Sequence, residues 1–190
     1  MSDNFEERLN RILPKLTSPD LLRNQGLGNE IGFWIFDYEP ERELEMRSFL
    51  SEVVEPRLEK AGIRFSHANL FDMAVEYLRE RDVLEAVFDV QKNQGDEAVL
   101  SELRPMFAET DFARVIAERV RPSEHDLVLV SGVGAAWPMV RAHTLLSSLH
   151  ALMGDTPLVM FYPGKYDGLS LRLFGALSED NYYRAFQLAA

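Results

Sequence analysis

The chain has 190 residues, 46% of them hydrophobic and 27% charged, and it contains no cysteine. That length suits one compact domain, which buries about 70% of the surface its unfolded chain exposes. Without cysteine there are no disulfides and no thiolate-bound zinc or iron–sulfur clusters. The net charge of −11 sits mainly in residues 1–125, which hold 16 basic and 26 acidic side chains against 4 and 5 in residues 126–190.

No basic face stands ready to displace counterions from phosphates, so direct tight binding of nucleic acid is not expected. The acidic start, Met1 to Glu7, lacks the basic and apolar regions of a secretory signal. No run approaches the roughly 18 apolar residues that span a bilayer. Composition therefore predicts a cytoplasmic protein without membrane association.

Residues 1–24 read as a helical segment packed on the domain, with Phe5, Leu9, Ile12 and Leu13 on one face of a helix over 2–16. A glycine-rich turn over 25–29 leads into an apolar strand over 31–36, ended by Asp37 and Tyr38. Pro40 suits the first turn of a helix, with Glu41, Glu43 and Glu45 near the positive end of its dipole. Met46, Phe49, Leu50 and Val53 give that helix one core-facing stripe; Pro56 is expected to kink it and Gly62 to end it.

A second strand is predicted over 63–68, then a long helix over 70–91. Its stripes are Phe71, Ala74, Val75 and Leu78, followed by Leu84, Val87 and Phe88. After a break at 93–96 come two shorter helices, over 97–103 and 111–121, with Pro105 between them. Residues 126–131 form the clearest strand. A helix over 138–152 opens at Pro138 and carries Ala142, Leu145, Leu146, Leu149 and Leu152 along one seam. Strands over 157–162 and 169–174 and a closing helix over 179–188 complete the chain. Continuous apolar strands alternating with helices predict a single α/β domain over 1–190, a mostly parallel sheet of about four to five strands flanked by helices.

In such a sheet, ligands bind beyond the carboxyl ends of the strands, and two loops lie there. The first runs from Ser131 to Pro138. Its Gly132 and Gly134 read either as a degenerate nucleotide- or phosphate-binding turn or as a plain turn between strand and helix. Trp137 stands where a dinucleotide loop wants a third small residue, Pro138 removes a donor, and the Gly-Lys-Ser/Thr of a P-loop is absent. The second loop, Tyr162-Pro163-Gly164-Lys165-Tyr166-Asp167-Gly168, reads as a tight turn with exposed tyrosines or as a recognition loop.

His143 and His150 lie too far apart along one helix for joint metal ligation, and His67 and His125 lack a neighbouring ligand pattern, so neither metal nor cofactor is expected. Ser131 is outside the Gly-x-Ser-x-Gly elbow, and acids such as Asp82 and Glu85 read as a solvated helix face. No catalytic constellation stands out, and enzymatic activity is not expected.

Five segments together resemble the BrxB family, the small B component of bacterial bacteriophage-exclusion (BREX) defence systems. They are residues 26–31 (Gly-Leu-Gly-Asn-Glu-Ile), 36–41 (Phe-Asp-Tyr-Glu-Pro-Glu), 132–143 from Gly132 to His143, 161–168 from Phe161 to Gly168, and 181–186 from Asn181 to Phe186. The likeness is densest from Asp126 onward. It implies a role in phage defence beside a DNA methyltransferase, a large ATPase and an alkaline-phosphatase-like protein, with no established enzymatic activity for this component. The expected role is an adaptor docking onto another protein of the system, the alkaline-phosphatase-like one first; a homodimer stays open. The weakly charged, aromatic segment from 126 onward fits a protein partner. Candidate partner- or ligand-binding residues are Gly132, Gly134, Trp137, Arg141, His143, Tyr162, Gly164, Lys165, Tyr166 and Asp167, while Phe161 and Phe186 are expected in the core.

Overall fold

A computed structural model of the chain describes residues 5–23, 32–178 and 185–189. Its strands are β1 (Phe33–Tyr38), β2 (Phe65–Asn69), β3 (Leu127–Ser131), β4 (Leu158–Tyr166), β5 (Leu171–Leu173), β6 (Leu177–Ser178) and β7 (Phe186–Gln187). Five of them run parallel in the order β2-β3-β4-β1-β7. Central register is set by Phe33 opposite Leu158 and by Leu129 opposite Val159. The last residues of β4 turn aside to pair antiparallel with β5, which pairs with β6. The expected parallel sheet is present, and among the described residues seven strands are found where four to five were expected; the additions are short.

The helices are α1 (Phe5–Leu16), α2 (Pro19–Leu22), α3 (Glu43–Phe49), α4 (Glu55–Lys60), α5 (Leu70–Glu80), α6 (Leu84–Gln94), α7 (Asp96–Leu103), α8 (Glu109–Val120), α9 (Val133–Ala136) and α10 (Ala142–Met153). None among the described residues is long and apolar enough to cross a membrane. They cover the sheet on both sides, because successive side chains of a strand point to opposite faces and both faces here are apolar. Phe33, Ile35, Val128, Val130, Leu158 and Met160 pack with residues of α5, α8 and α10, among them Leu78, Phe112, Ile116 and Leu145. On the opposite face, Trp34, Phe36, Leu127, Leu129, Val159 and Phe161 meet Ile12 and Leu16 of α1 and Met46, Leu50, Val54 and Leu58 from residues 43–60.

Several local expectations change. The helix after Pro40 is a 3₁₀ turn, then α3, then a π turn over Leu50–Val54, then α4. The wide turn lies ahead of Pro56, which lacks an N–H to donate. The residue it adds per turn moves the buried stripe from Val53 to Val54 and Leu58. The helix expected over 70–91 is broken between α5 and α6, where Asp82 takes a left-handed conformation (φ 56). The Asn69 carboxamide accepts from the amides of Phe71 and Asp72, fixing where α5 starts. Its buried stripe is therefore Leu70, Met73, Ala74, Tyr77 and Leu78, and Phe71 and Phe88 face outward.

The helix expected from Pro138 begins later, at Ala142, after the short α9 and a cis Trp137–Pro138 bond. Of the closing helix expected over 179–188, residues 179–184 lie outside the described residues, as does the glycine-rich turn over 25–29. Phe186 and Gln187 form a strand, and the Leu188 amide donates to the Ile35 carbonyl at 2.8 Å. A strand wins there because β1 would otherwise leave a row of edge donors and acceptors without a partner strand. Phe161 is fully buried as expected, whereas Phe186 is half-buried, its ring 5.1 Å from that of Trp34.

One carboxylate gathers the ends of these elements. Asp37 Oδ1 accepts from Arg8 Nη2 of α1 at 2.6 Å, and Oδ2 accepts from the Tyr166 amide of β4 at 3.1 Å. The Tyr166 hydroxyl in turn donates to the Ala185 carbonyl (2.7 Å) and accepts from the Ala185 amide (2.9 Å), holding the approach to β7. The Tyr166→Phe variant keeps the ring and loses both hydroxyl bonds. It should lower unfolding free energy by about 1–3 kcal/mol in chemical denaturation, with unchanged circular dichroism.

Candidate functional site

On β2, alternation puts Phe65, His67 and Asn69 on one face, and parallel pairing sets them beside Leu127, Leu129 and Ser131 of β3. The first of each set joins the apolar layer under α3 and α4. Toward the carboxyl ends the same face turns polar, at His67, Asn69 and Ser131. Above them the π turn delivers Glu55 at the start of α4.

Three side chains make a hydrogen-bonded line there. His67 Nδ1 lies 2.5 Å from Glu55 Oε1, and His67 Nε2 lies 2.7 Å from Ser131 Oγ. An ionised carboxylate only accepts, so in the neutral imidazole the proton belongs on Nδ1 and Nε2 is left to accept the serine O–H. That is the tautomer in which a histidine withdraws a proton from a hydroxyl. Ser131 is 8% exposed and lines a cavity of about 470 Å³ shared with His67, Glu55 and Asn69.

A second pair stands in the same wall. The Tyr38 hydroxyl donates to Glu43 Oε2 at 2.5 Å. Burial first, and the Glu43 charge second, push that phenol far above its ordinary range, so it stays protonated.

Spacing along the chain does not join Glu55, His67 and Ser131, which are 12 and 64 positions apart. Their separation leaves no local pattern in the sequence that would mark the arrangement. The register of β2 against β3 joins His67 to Ser131, and the start of α4 brings Glu55 to them. The nearest signal is a serine closing an apolar strand just before glycine.

Gly132 takes a left-handed conformation (φ 70), and a Cβ there would lie 2.1 Å from Asn69 Oδ1. A Cβ on Gly134 would meet the Phe174 ring at 3.0 Å and Pro163 at 3.1 Å. Close packing on both sides accounts for these glycines without a phosphate.

The second loop is no loop as far as Tyr166. β4 continues through it, with Tyr162 and Tyr166 inward and Lys165 outward. Tyr162 and Tyr166, expected as exposed tyrosines, are 0% and 4% exposed, because strand alternation points both into the core. His143 is likewise buried, on α10. Gly164 lets β5 approach, since a Cβ there would lie 2.2 Å from the Arg172 carbonyl oxygen.

Asp167 serves the turn into β5. Its Oδ1 accepts from the amides of Ser170 (2.8 Å) and Leu169 (3.0 Å), and Oδ2 accepts from the Ser170 hydroxyl (2.8 Å). The Ser170 amide, then its hydroxyl, holds the carboxyl below the usual carboxylate range.

Trp137, Arg141 and Lys165 do stand exposed. Trp137 meets Phe174 edge to face, ring centroids 6.2 Å apart. Arg141 shares with Arg104 a separate cleft of about 440 Å³ between α7 and the segment leading to α10; Phe107 and Met139 line it too.

A family model described as "BREX protein BrxB" matches residues 66–188, a span holding His67, Ser131 and the exposed aromatics. The chain belongs to the BrxB family. A protein named "BREX protein BrxB" from Bacillus cereus (strain H3081.97) is 40% identical over 188 residues, covering 97% of either chain. One of the same name from Escherichia coli O9:H4 (strain HS) is 40% identical over 184 residues, covering 97% of this chain and 91% of its own. No solved structure matches the chain. In this BrxB-family chain, Gly132→Ala combines left-handed strain with a collision against Asn69, and should cost about 1–3 kcal/mol of stability. Adding Asn69→Ala should relieve the collision while leaving the strain, so thermal unfolding of the pair should show less loss than the single changes summed.

Proposed function

We propose that this BREX component acts as an adaptor, docking onto another protein of the system through the surface around Trp137. The alkaline-phosphatase-like component is the partner the family resemblance puts first. One observation carries the reading: Trp137 and Phe174 lean on each other edge to face, yet stay 39% and 41% exposed. Two large rings in water are an unfavourable arrangement unless another surface covers them. Aromatic residues of this kind are the usual anchors of protein interfaces.

The surroundings support the same reading. Phe174 sits in a left-handed conformation (φ 55), uncommon for a bulky residue. Such strain persists where the neighbouring structure enforces it, and tends to mark working positions. Here the turn between β5 and β6 enforces it, and Gly134 leaves room for the ring. Leu177 adds further exposed apolar surface on β6. Arg104 and Arg141, in a cleft also lined by Pro138 next to Trp137, supply positive charge. The complementary partner surface is an apolar socket beside carboxylates. Arg141 and Trp137 make the contacts, while Tyr162, Gly164, Tyr166 and Asp167 hold the platform.

The test is co-purification from cells carrying the whole gene cluster. Trp137→Ala together with Phe174→Ala should lower recovery of the alkaline-phosphatase-like protein at least tenfold, and Arg141→Glu should lower it further. Undiminished recovery with a folded double variant discards the docking surface. Loss of self-association instead would assign these rings to a homodimer.

A further inference from the structure

We propose that Ser131 is a nucleophile, activated by His67 and positioned through Glu55, and that the cavity it lines accepts a neutral carboxylic ester with a short apolar acyl group. The proposal stands on the cavity and the hydrogen-bonded line, and is independent of the docking surface. A serine nine-tenths buried, at the end of a parallel strand and 2.7 Å from an imidazole nitrogen, is placed as nucleophile–base pairs are. The carboxylate on the far nitrogen fixes the tautomer and stabilises the imidazolium that forms on proton transfer. About 470 Å³ lies within the range of small-molecule sites.

The lining selects the substrate class. Glu43, Glu55 and Asp72 surround the serine against one cation, Arg47, which is itself 3.9 Å from Glu43. Three carboxylates repel a phosphate ester or another anion. Met46 and Leu50 floor the cavity but are only 1% and 2% exposed, so the apolar contact they leave suits a short acyl group. Asn69 spends its Oδ1 on the start of α5, so its Nδ2 is the donor that the cavity wall offers to a developing oxyanion.

The chemistry balances within these groups and water. Ser131 Oγ attacks the ester carbonyl carbon while its proton passes to His67 Nε2. The tetrahedral adduct collapses, the bond to the alcohol oxygen breaks, and His67 returns the proton to the departing alkoxide. Water then attacks the acyl-serine as His67 takes one of its protons. The acid leaves, and the proton returns to Ser131 Oγ.

The experiment treats the purified full chain with a fluorophosphonate probe and locates the adduct by peptide mass spectrometry. A single adduct on Ser131 is expected, absent in Ser131→Ala and formed about 100-fold more slowly in His67→Gln. With p-nitrophenyl acetate, Glu55→Gln should lower kcat about tenfold or more and leave KM unchanged, which mere loosening of α4 would not do. If His67→Gln fails to fold, alkylation of Ser131→Cys by iodoacetamide reads the same activation, expected to run at least tenfold faster than for free cysteine. No adduct on Ser131, an adduct formed equally fast in His67→Gln, or ordinary alkylation of Ser131→Cys overturns the proposal. Preferential cleavage of p-nitrophenyl phosphate overturns the substrate class.

Discussion

The parallel sheet is apolar on both faces, and everything else follows from that. Leu127 and Leu129 face one layer of helices, Val128 and Val130 the other, and β4 divides its residues between the two cores in the same way. A slip of one residue would turn each set to the wrong side and move β3 along β2 by about 3.3 Å. Register is therefore set by the core, and polar side chains are confined to where the strands run out. His67 and Ser131 occupy such a margin, and their 2.7 Å approach is inherited from leucines and valines that take no part in it.

The same constraint sorts the aromatic residues. Those on strands turn inward, as Phe36, Phe161 and Tyr162 do, and build the interior. Those on the connections escape it. Trp137 follows a helix of one turn and Phe174 occupies a bend, so neither is governed by the alternation that buries its neighbours. Tyr166 falls between these groups. Its ring is buried by strand geometry, while its hydroxyl reaches across to the backbone at Ala185.

Much of the architecture was legible in the chain. Residues 127–130 and 158–161 are runs of Val, Leu, Met and Phe without interruption, the pattern of a strand covered on both sides. The missed features were those decided by contacts between distant segments. β4 looked finished at Pro163 because proline and glycine usually end strands, yet Gly164 is there to let β5 come close. Residues 186–187 looked helical until the open edge of β1 drew them into the sheet. The serine, histidine and glutamate carried no local signature, since a strand pairing joins two of them and a π turn supplies the third. At the other candidate surface, Trp137 was legible as a loop residue, whereas Arg141 read as part of a helix and Phe174 as the end of a strand.

Arg8 of the first helix donates through Nε to the Ala189 carbonyl at 3.2 Å, across 181 positions, and Leu188 and Ala189 complete the interior beneath that helix. That face of the sheet is therefore sealed by a contact between segments 181 positions apart. Bringing such distant segments together costs loop-closure entropy before burial repays it, which favours cooperative closure of this face over stepwise growth.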